Sequence, residues 1–320
     1  MINSGRKLQY FPHCEFVLAQ AEQVVALINQ MRSERKPASL IRLGDAEGML
    51  LARPRPKDTE LWAYAVNYFG PQITTEQITA LADALEHAIA LADVVGVRDD
   101  LVNVDFPPNK FELQGADFLE YFKKSFNLRS VERDIPYSAA LRLAHLHRFL
   151  ATRGFRDETV ICSAWWHFMA SANGALAAMA AGSDRIGLIS SKPALANKIR
   201  QRLRVELDFY EVPDKPSVSI SKRSDHVHFP DAFDRTMETL KIRVPGQLFL
   251  VGAGICGKVY CNKIRDLGGI GLDIGAVCDS WINLPTRPLV LRSLFCNEGD
   301  CVPEQLLLEY QVSRLSLRQR

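Results

Sequence analysis

Near the amino end, Arg42-Leu43-Gly44-Asp45-Ala46-Glu47-Gly48 places two carboxylates at i and i+2, just past a short apolar run. Two such groups can converge on one hard divalent cation. Mg²⁺ and Mn²⁺ prefer oxygen ligands, take one or two carboxylates from protein and complete their shell with phosphate oxygens. The flanking glycines allow backbone geometry that a side chain forbids. Arg42 supplies a fork for phosphate or for a carboxylate. The same residues have a plainer use: Asp45 and Glu47 can cap the helical turn 48–52 at its positive end. A bare DxE does not choose between the two.

A second constellation lies far along the chain. Leu248-Phe249-Leu250-Val251-Gly252-Ala253-Gly254-Ile255-Cys256-Gly257-Lys258 reads as strand, GxGxxG, helix. Glycines Gly252, Gly254 and Gly257 let backbone N–H groups and a helix N-terminus approach a diphosphate. Asp273 follows near the end of the next strand, where a ribose-binding acid would sit. By spacing this is a dinucleotide fingerprint, so a nicotinamide-dependent oxidoreductase is one reading. Against it, too few residues follow to complete a dinucleotide fold, and Lys258 sets a cation beside the turn, which suits terminal phosphates. A purely structural glycine turn is a third possibility.

The third constellation is Asp273-Ile274-Gly275-Ala276-Val277-Cys278-Asp279-Ser280-Trp281, running on to Thr286-Arg287-Pro288. Asp273 and Asp279 flank a strand end. Trp281 offers a flat apolar face for a sugar ring or a base, and Arg287 a cation for an anion. Equally, Trp281 can fill the core and Arg287 a surface ion pair. Weaker candidates are His226 and His228, an HxH pair without a third clustered ligand for zinc. His167, behind Trp165 and Trp166, could touch a substrate but reads first as packed. The basic run Lys198, Arg200, Arg202, Arg204 reads as a solvated helix face. GxSxG, HExxH and a complete Walker A sequence are absent, which removes serine hydrolase, zincin and P-loop readings.

Alternating strand-like and helix-like segments must position these residues. The periodicity predicts helices over 15–33, 75–92 (capped by Thr75), 138–152, 166–181, 194–204, 231–243, 257–267 and 303–315. Strands are predicted over 39–43, 93–97, 159–162, 185–189, 205–211, 247–251 and 270–274, with a Pro-, Ser- and charge-rich loop at 212–230 and a basic tail. Strands separated by helices imply parallel pairing through crossovers: an α/β, Rossmann-like, mostly parallel sheet with helices on both faces. Such sheets carry ligands beyond the carboxyl ends of their strands, here 44–48, 98–100, 163–167, 190–192, 252–258 and 273–279.

Composition narrows the class. With 320 residues, 47% of them hydrophobic and 24% charged, wholesale disorder is excluded. Lys+Arg 39 against Asp+Glu 37 leaves a net charge of +2, which gives no global field for nucleic acid. The longest apolar stretch, 175–181, is too short to span a bilayer. Polar residues follow the start where a signal peptide would need an apolar region. Seven scattered cysteines without a CxxC pair fit free thiols in a reducing cytoplasm.

Taken together, Arg42-Leu43-Gly44-Asp45-Ala46-Glu47 resembles the RxGDxE signature of the GT-D-fold glycosyltransferases, once a domain of unknown function found in bacterial glycan clusters. The stretch Val251-Gly252-Ala253-Gly254, Gly257-Lys258, Gly269-Ile270, Asp273-Ile274-Gly275 and Asp279-Ser280-Trp281 is similar to that family's closing region, and 161–193 more loosely to its middle. One departure is Ala276, where many relatives carry a His. The resemblance implies one Rossmann-like domain over 1–320 that transfers a sugar from a nucleotide donor. It implies that Asp45 and Glu47 hold Mn²⁺ or Mg²⁺ against the diphosphate, with Lys258 and Arg42 as supplementary cations. Asp273 and Asp279 are then candidates for the base, Asp279 preferred because it lies in the loop beyond the strand. Gly44, Trp281 and Arg287 complete the expected donor site.

The expected activity is therefore a metal-dependent glycosyltransferase acting on a surface polysaccharide, lipopolysaccharide or glycoprotein glycan. A UDP-sugar is the first choice of donor; nucleic acid is not an expected partner. The expected location is the cytoplasm, with peripheral membrane contact through 198–204 or the tail if the acceptor is lipid-linked. A nicotinamide-dependent oxidoreductase and a non-catalytic nucleotide-sugar sensor are the alternatives.

Overall fold

Short runs rich in Val, Ile and Leu, buried on both sides, form the interior of a parallel sheet. The computed structural model of the chain describes residues 7–10, 14–126, 135–214, 227–282 and 284. Its strands are β1 (Lys7–Tyr10), β2 (Cys14–Ala19), β3 (Ala38–Arg42), β4 (Val94–Val97), β5 (Val160–Ser163), β6 (Arg185–Ser190), β7 (Glu206–Glu211), β8 (Leu248–Gly252) and β9 (Ile270–Asp273). They make one sheet in the order β1-β2-β5-β4-β3-β9-β8-β6-β7. The β1–β2 pair is antiparallel and the others are parallel. The Rossmann-like α/β class read from the sequence is the class observed.

The helices are α1 (Ala21–Ser33), α2 (Asp45–Leu51), α3 (Thr59–Phe69), α4 (Thr75–Leu91), α5 (Gly115–Ser125), α6 (Tyr137–Arg153), α7 (Trp166–Ala172), α8 (Ala175–Ala181), α9 (Pro193–Leu203), α10 (Phe233–Thr239), α11 (Cys256–Asp266) and α12 (Val277–Ser280). Side chains alternate across a strand, so neighbouring residues feed opposite cores. Ile41, Phe249 and Val251 pack with Leu50, Leu85, Leu143 and Val259 of α2, α4, α6 and α11. Leu40, Leu248 and Leu250 pack with Ile28, Phe168, Leu176, Ile199 and Val277 of α1, α7, α8, α9 and α12. Consequently α9, leaving β6, and α11, leaving β8, depart on opposite faces of adjacent strands. Ser190 and Gly252 end those two strands in register. A crevice opens where helices diverge in this way.

Several boundaries differ from the sequence reading. Residues 15–19 are strand, because Cys14 and Phe16 are buried while Glu15 and Val17 are exposed, a period of two. The predicted helix 166–181 is two helices, broken where Gly174 takes φ 86°. Thr74, not Thr75, caps α4: its hydroxyl accepts from Gln77 N at 3.2 Å, and Gln77 Oε1 accepts from Thr74 N at 3.0 Å. The helix predicted at 231–243 shortens to α10, behind a π turn His228–Ala232. The sequence reading does not include β1, α3, α5 or α12. The helix predicted at 303–315, the basic tail and 215–226 of the loop lie outside the described residues. No helix among the described residues is long and apolar enough to cross a membrane.

Candidate active site

The carboxyl ends of β3, β4, β5, β6, β8 and β9 open into a cavity of about 470 Å³. Its walls include Arg42, Gly44, Asp45, Glu47, Gly252, Gly254, Lys258, Asp273 and Asp279. Residues more than 200 positions apart in sequence are thus brought to one place.

At the glycine-turn end these residues form a closed ion network. Lys258 Nζ lies 2.8 Å from Glu47 Oε1 and 3.0 Å from Asp273 Oδ2, and it donates to Gly254 O at 3.1 Å. Three acceptors thus surround the ammonium, the contact to Asp273 Oδ2 being an ion pair and not a directed hydrogen bond. Arg42 Nη2 donates to Asp273 Oδ1 at 3.0 Å and Nε to Asp273 O at 2.9 Å. Arg42 Nη1 reaches His167 Nε2 at 2.9 Å. Burial works against charge on Lys258, but Asp273 and Glu47 outweigh it and hold the ammonium above its ordinary pKa. Burial would raise the Asp273 pKa, but Arg42 and Lys258 outweigh it and hold it below the usual carboxylate range. Gly275 makes room for this: it has φ 46°, and a Cβ there would sit 2.1 Å from Arg42 Nη2.

Both readings of the DxE now meet the geometry. Glu47 Oε2 accepts from Gly44 N at 2.8 Å, the capping bond of α2. Its other oxygen faces Lys258. Asp45 turns to α6 instead, where Arg142 donates to Oδ2 from Nη2 at 2.7 Å and from Nε at 3.2 Å. Arg142 also lies 3.7 Å from the ring centre of Tyr64. Positions i and i+2 on a helix do not face each other. The expected convergence of Asp45 and Glu47 on one divalent ion is therefore not the arrangement observed: each carboxylate has its own protein cation. Among the described residues, no group of three or more His, Cys, Asp or Glu side chains is placed to hold a metal. The pair does not fit Mn²⁺ or Mg²⁺ as it stands.

The β6 end is more open. Lys192 pairs with Asp214, and its Nζ lies 3.8 Å from Asp279 Oδ1. The Asp279 side chain is 19% exposed and faces the cavity. Trp165, stacked on Phe168 with centroids 5.9 Å apart, lines the β5 side together with Arg98. The Arg98 guanidinium grips Asp100 through Nε at 2.8 Å and Nη2 at 2.5 Å. His228 Nε2 meets Tyr260 Oη at 2.9 Å, and burial lowers its pKa to about 4. Cys256 and Cys278 also line the cavity, but burial pushes each thiol up to about 12, so neither is a thiolate near neutral pH.

Some expected site residues belong elsewhere. Trp281 is fully buried and its Nε1 donates to Ser171 Oγ at 2.9 Å, so it joins α12 to α7 instead of facing a sugar. Gly257 is not a wall of the cavity; a Cβ there would meet Val251 Cγ1 at 3.2 Å, so it lets α11 lie close on β8. Asp273 is only 1% exposed and held between two cations, which suits a charge anchor and not a base. Arg287 and His226 lie outside the described residues. In the basic run, Lys198 donates to Trp281 O at 2.8 Å, while Arg200, Arg202 and Arg204 are exposed. The sequence reading passed over Arg142 and Asp214, and it named 190–192 as a strand end without giving Lys192 a role. For Lys192 a signal existed: strand, Ser-Ser-Lys, then Pro opening a helix.

Residues 19–123 match the family model described as a GT-D fold-like domain. The matched stretch contains the Arg42–Glu47 signature and ends before α6, so Lys258, Asp273 and Asp279 lie beyond it. It agrees with the resemblance that the signature carries. No curated protein and no solved structure matches the chain.

Proposed function

We propose that this GT-D-like chain is a glycosyltransferase that moves a hexosyl-type sugar from a nucleoside-diphosphate donor, a UDP-sugar first, to a hydroxyl of a bacterial surface glycan, lipopolysaccharide or glycoprotein. One observation carries the reading. Glu47, in the segment that matches the family, is joined through Lys258 to Asp273 at the carboxyl edge of the sheet, inside a cavity.

In such a transfer the acceptor oxygen bonds to the anomeric carbon as the bond to the diphosphate breaks. The acceptor proton goes to a base, and the diphosphate gains charge. Asp279 is the base on this reading, because it is a cavity carboxylate not locked between two buried cations. Asp273, Arg42, Lys258 and Glu47 hold β3, β9, α2 and α11 in register around the reacting groups. The positive end of α11 faces the developing charge. No step is assigned to a metal ion, since Asp45 and Glu47 are paired within the protein.

The oxidoreductase reading needs a carboxylate free to take a ribose diol after the GxGxxG turn. Asp273 is instead engaged by Arg42 and Lys258.

A thermal-shift screen with UDP, UDP-sugars and NADH, with and without Mn²⁺ and EDTA, tests the proposal. Nucleoside diphosphates should raise the midpoint, as a ligand of the native state does. Asp279→Asn should keep that shift while sugar transfer or donor hydrolysis falls by about a hundredfold or more. A response to NADH alone would restore the oxidoreductase, and binding without turnover over an acceptor panel would favour the sensor.

A further inference from the structure

Arg42 and Lys258, the cations that the sequence marks for phosphate, are committed within the protein: Lys258 is paired with two buried carboxylates, donates to Gly254 O and is 4% exposed. Lys192 differs. It stands between β6 and α9, its side chain is 16% exposed, and it lines the cavity. Among the described residues it has Asp214 as a close partner, with Asp279 at 3.8 Å, so its three donors face fewer near acceptors there.

Two residues earlier, Ser190 ends β6. It is completely buried, it lines the same cavity, and among the described residues its hydroxyl has no nitrogen or oxygen partner. The thiol of Cys278 lies beside it, and a thiol is a weak acceptor. A buried hydroxyl left this way is unusual in a folded protein. The position is also the place where the topology puts a ligand. Ser190 faces Gly252 in register, and the helices after the two strands leave on opposite faces. Gly252 keeps the crevice narrow and side-chain-free: a Cβ there would overlap Cys278 Sγ at 2.3 Å. The eleven-residue α9 points its positive end at the same spot.

We propose that Ser190 Oγ and Lys192 Nζ, at the amino end of α9, form a phosphoryl-binding subsite across the crevice from the glycine turn. The hydroxyl donates to one phosphoryl oxygen, and the ammonium keeps Asp214 and offers its remaining donors to another. Asp279 is then next to the phosphoryl group, which places base and leaving group at one end of the cavity. That the phosphoryl group belongs to a sugar donor rests on the glycosyltransferase reading; the subsite itself does not.

Calorimetric titration of the full chain with inorganic pyrophosphate and with UDP tests this, using the native protein, Ser190→Ala and Lys192→Gln. Ser190→Ala should weaken binding by about ten- to a hundredfold, the size of one hydrogen bond to a charged group, without lowering the thermal midpoint. A purely structural serine would show the reverse. Lys192→Gln should weaken both ligands by about tenfold or more. If that variant fails to fold, Ser190→Ala carries the test alone. Native affinity in both variants overturns the subsite, and so does a native chain that binds neither pyrophosphate nor UDP. Pyrophosphate binding that weakens in the variants, with no binding of UDP, keeps the subsite and removes the sugar-donor reading.

Discussion

At the glycine turn, Lys258 meets three acceptors within 3.1 Å and is almost wholly buried. At the end of β6, Lys192 leans on Asp214, stands off from Asp279 and keeps part of its side chain in the cavity. Both lysines sit just past a strand of the same sheet, beside a helix start. Their surroundings give them different work. A buried cation paired with two buried carboxylates holds elements together, and it resists a new ligand because an ion pair must be given up for each bond made. A half-buried cation with donors to spare can take a ligand at little cost. Phosphate recognition is therefore not settled by which lysine follows a glycine-rich turn.

The largest expected effect is on stability, and it separates the two ends. Lys258→Met leaves Glu47 and Asp273 buried with too little positive charge and should lower the unfolding free energy by about 3–5 kcal/mol. Lys192→Met, at the open end, should lower it by less than about 1 kcal/mol. Adding Glu47→Gln to Lys258→Met restores charge balance and should recover most of the loss. Urea unfolding reads all three; equal costs for the two lysines would erase the contrast.

Acid separates the closed network from the histidines at 145, 147 and 228, of which His228 alone lines the cavity. Burial lowers the imidazoles of His145, His147 and His228 to about 4, against an unfolded value of about 6.5. The folded state binds fewer protons there, so the stability these groups contribute is complete above about pH 6.5 and declines as pH falls toward 4. Each unit of depression corresponds to about 1.4 kcal/mol. The closed network should hold through that window. Asp273 has a lowered pKa, so its contribution persists above the unfolded carboxylate value of about 3.9 and is lost only below it. Denaturation midpoints from pH 8 to 3 should therefore fall in two stages. His228→Gln should shrink the first and leave the second; a single fall centred near pH 4 would contradict this order.

A smaller effect than that of Lys258→Met concerns the crevice between the ends. Gly252→Ala drives a methyl group into Cys278 Sγ and should cost about 1–3 kcal/mol. Cys278→Ala in the same chain should return part of it, since the sulfur is the nearest obstacle. A double-mutant cycle measures that coupling; strict additivity would mean that the two lips do not touch as described.

Much of the framework is legible in the linear sequence. The strands at 38–42, 94–97, 160–163, 248–252 and 270–273 are short apolar runs between helices of clear period, and the α/β class follows from their alternation. Residues 15–19 mislead because an alternating strand runs straight into an amphipathic helix, and Val17 fits both patterns. The helix α5 is carried by aromatic packing of Phe118 and Phe122 on Phe106, a contact that no local period announces. Within the site, residue types were readable and roles were not. Trp281 has the chemistry of a sugar platform, yet Ser171 and the second core claim it.

Local interactions act over a few residues, and the chain's order of residue types records them directly. From that order alone came the parallel architecture and the carboxyl edge as the place for chemistry, while the cap at the start of α2 was one of two readings left open. Ion pairing is different, because it depends on distance in space. Asp45 finds Arg142 97 positions away, and Arg42 finds Asp273 231 positions away. Only the packed sheet could decide which carboxylate each cation neutralises, and so which lysine is left to meet a ligand.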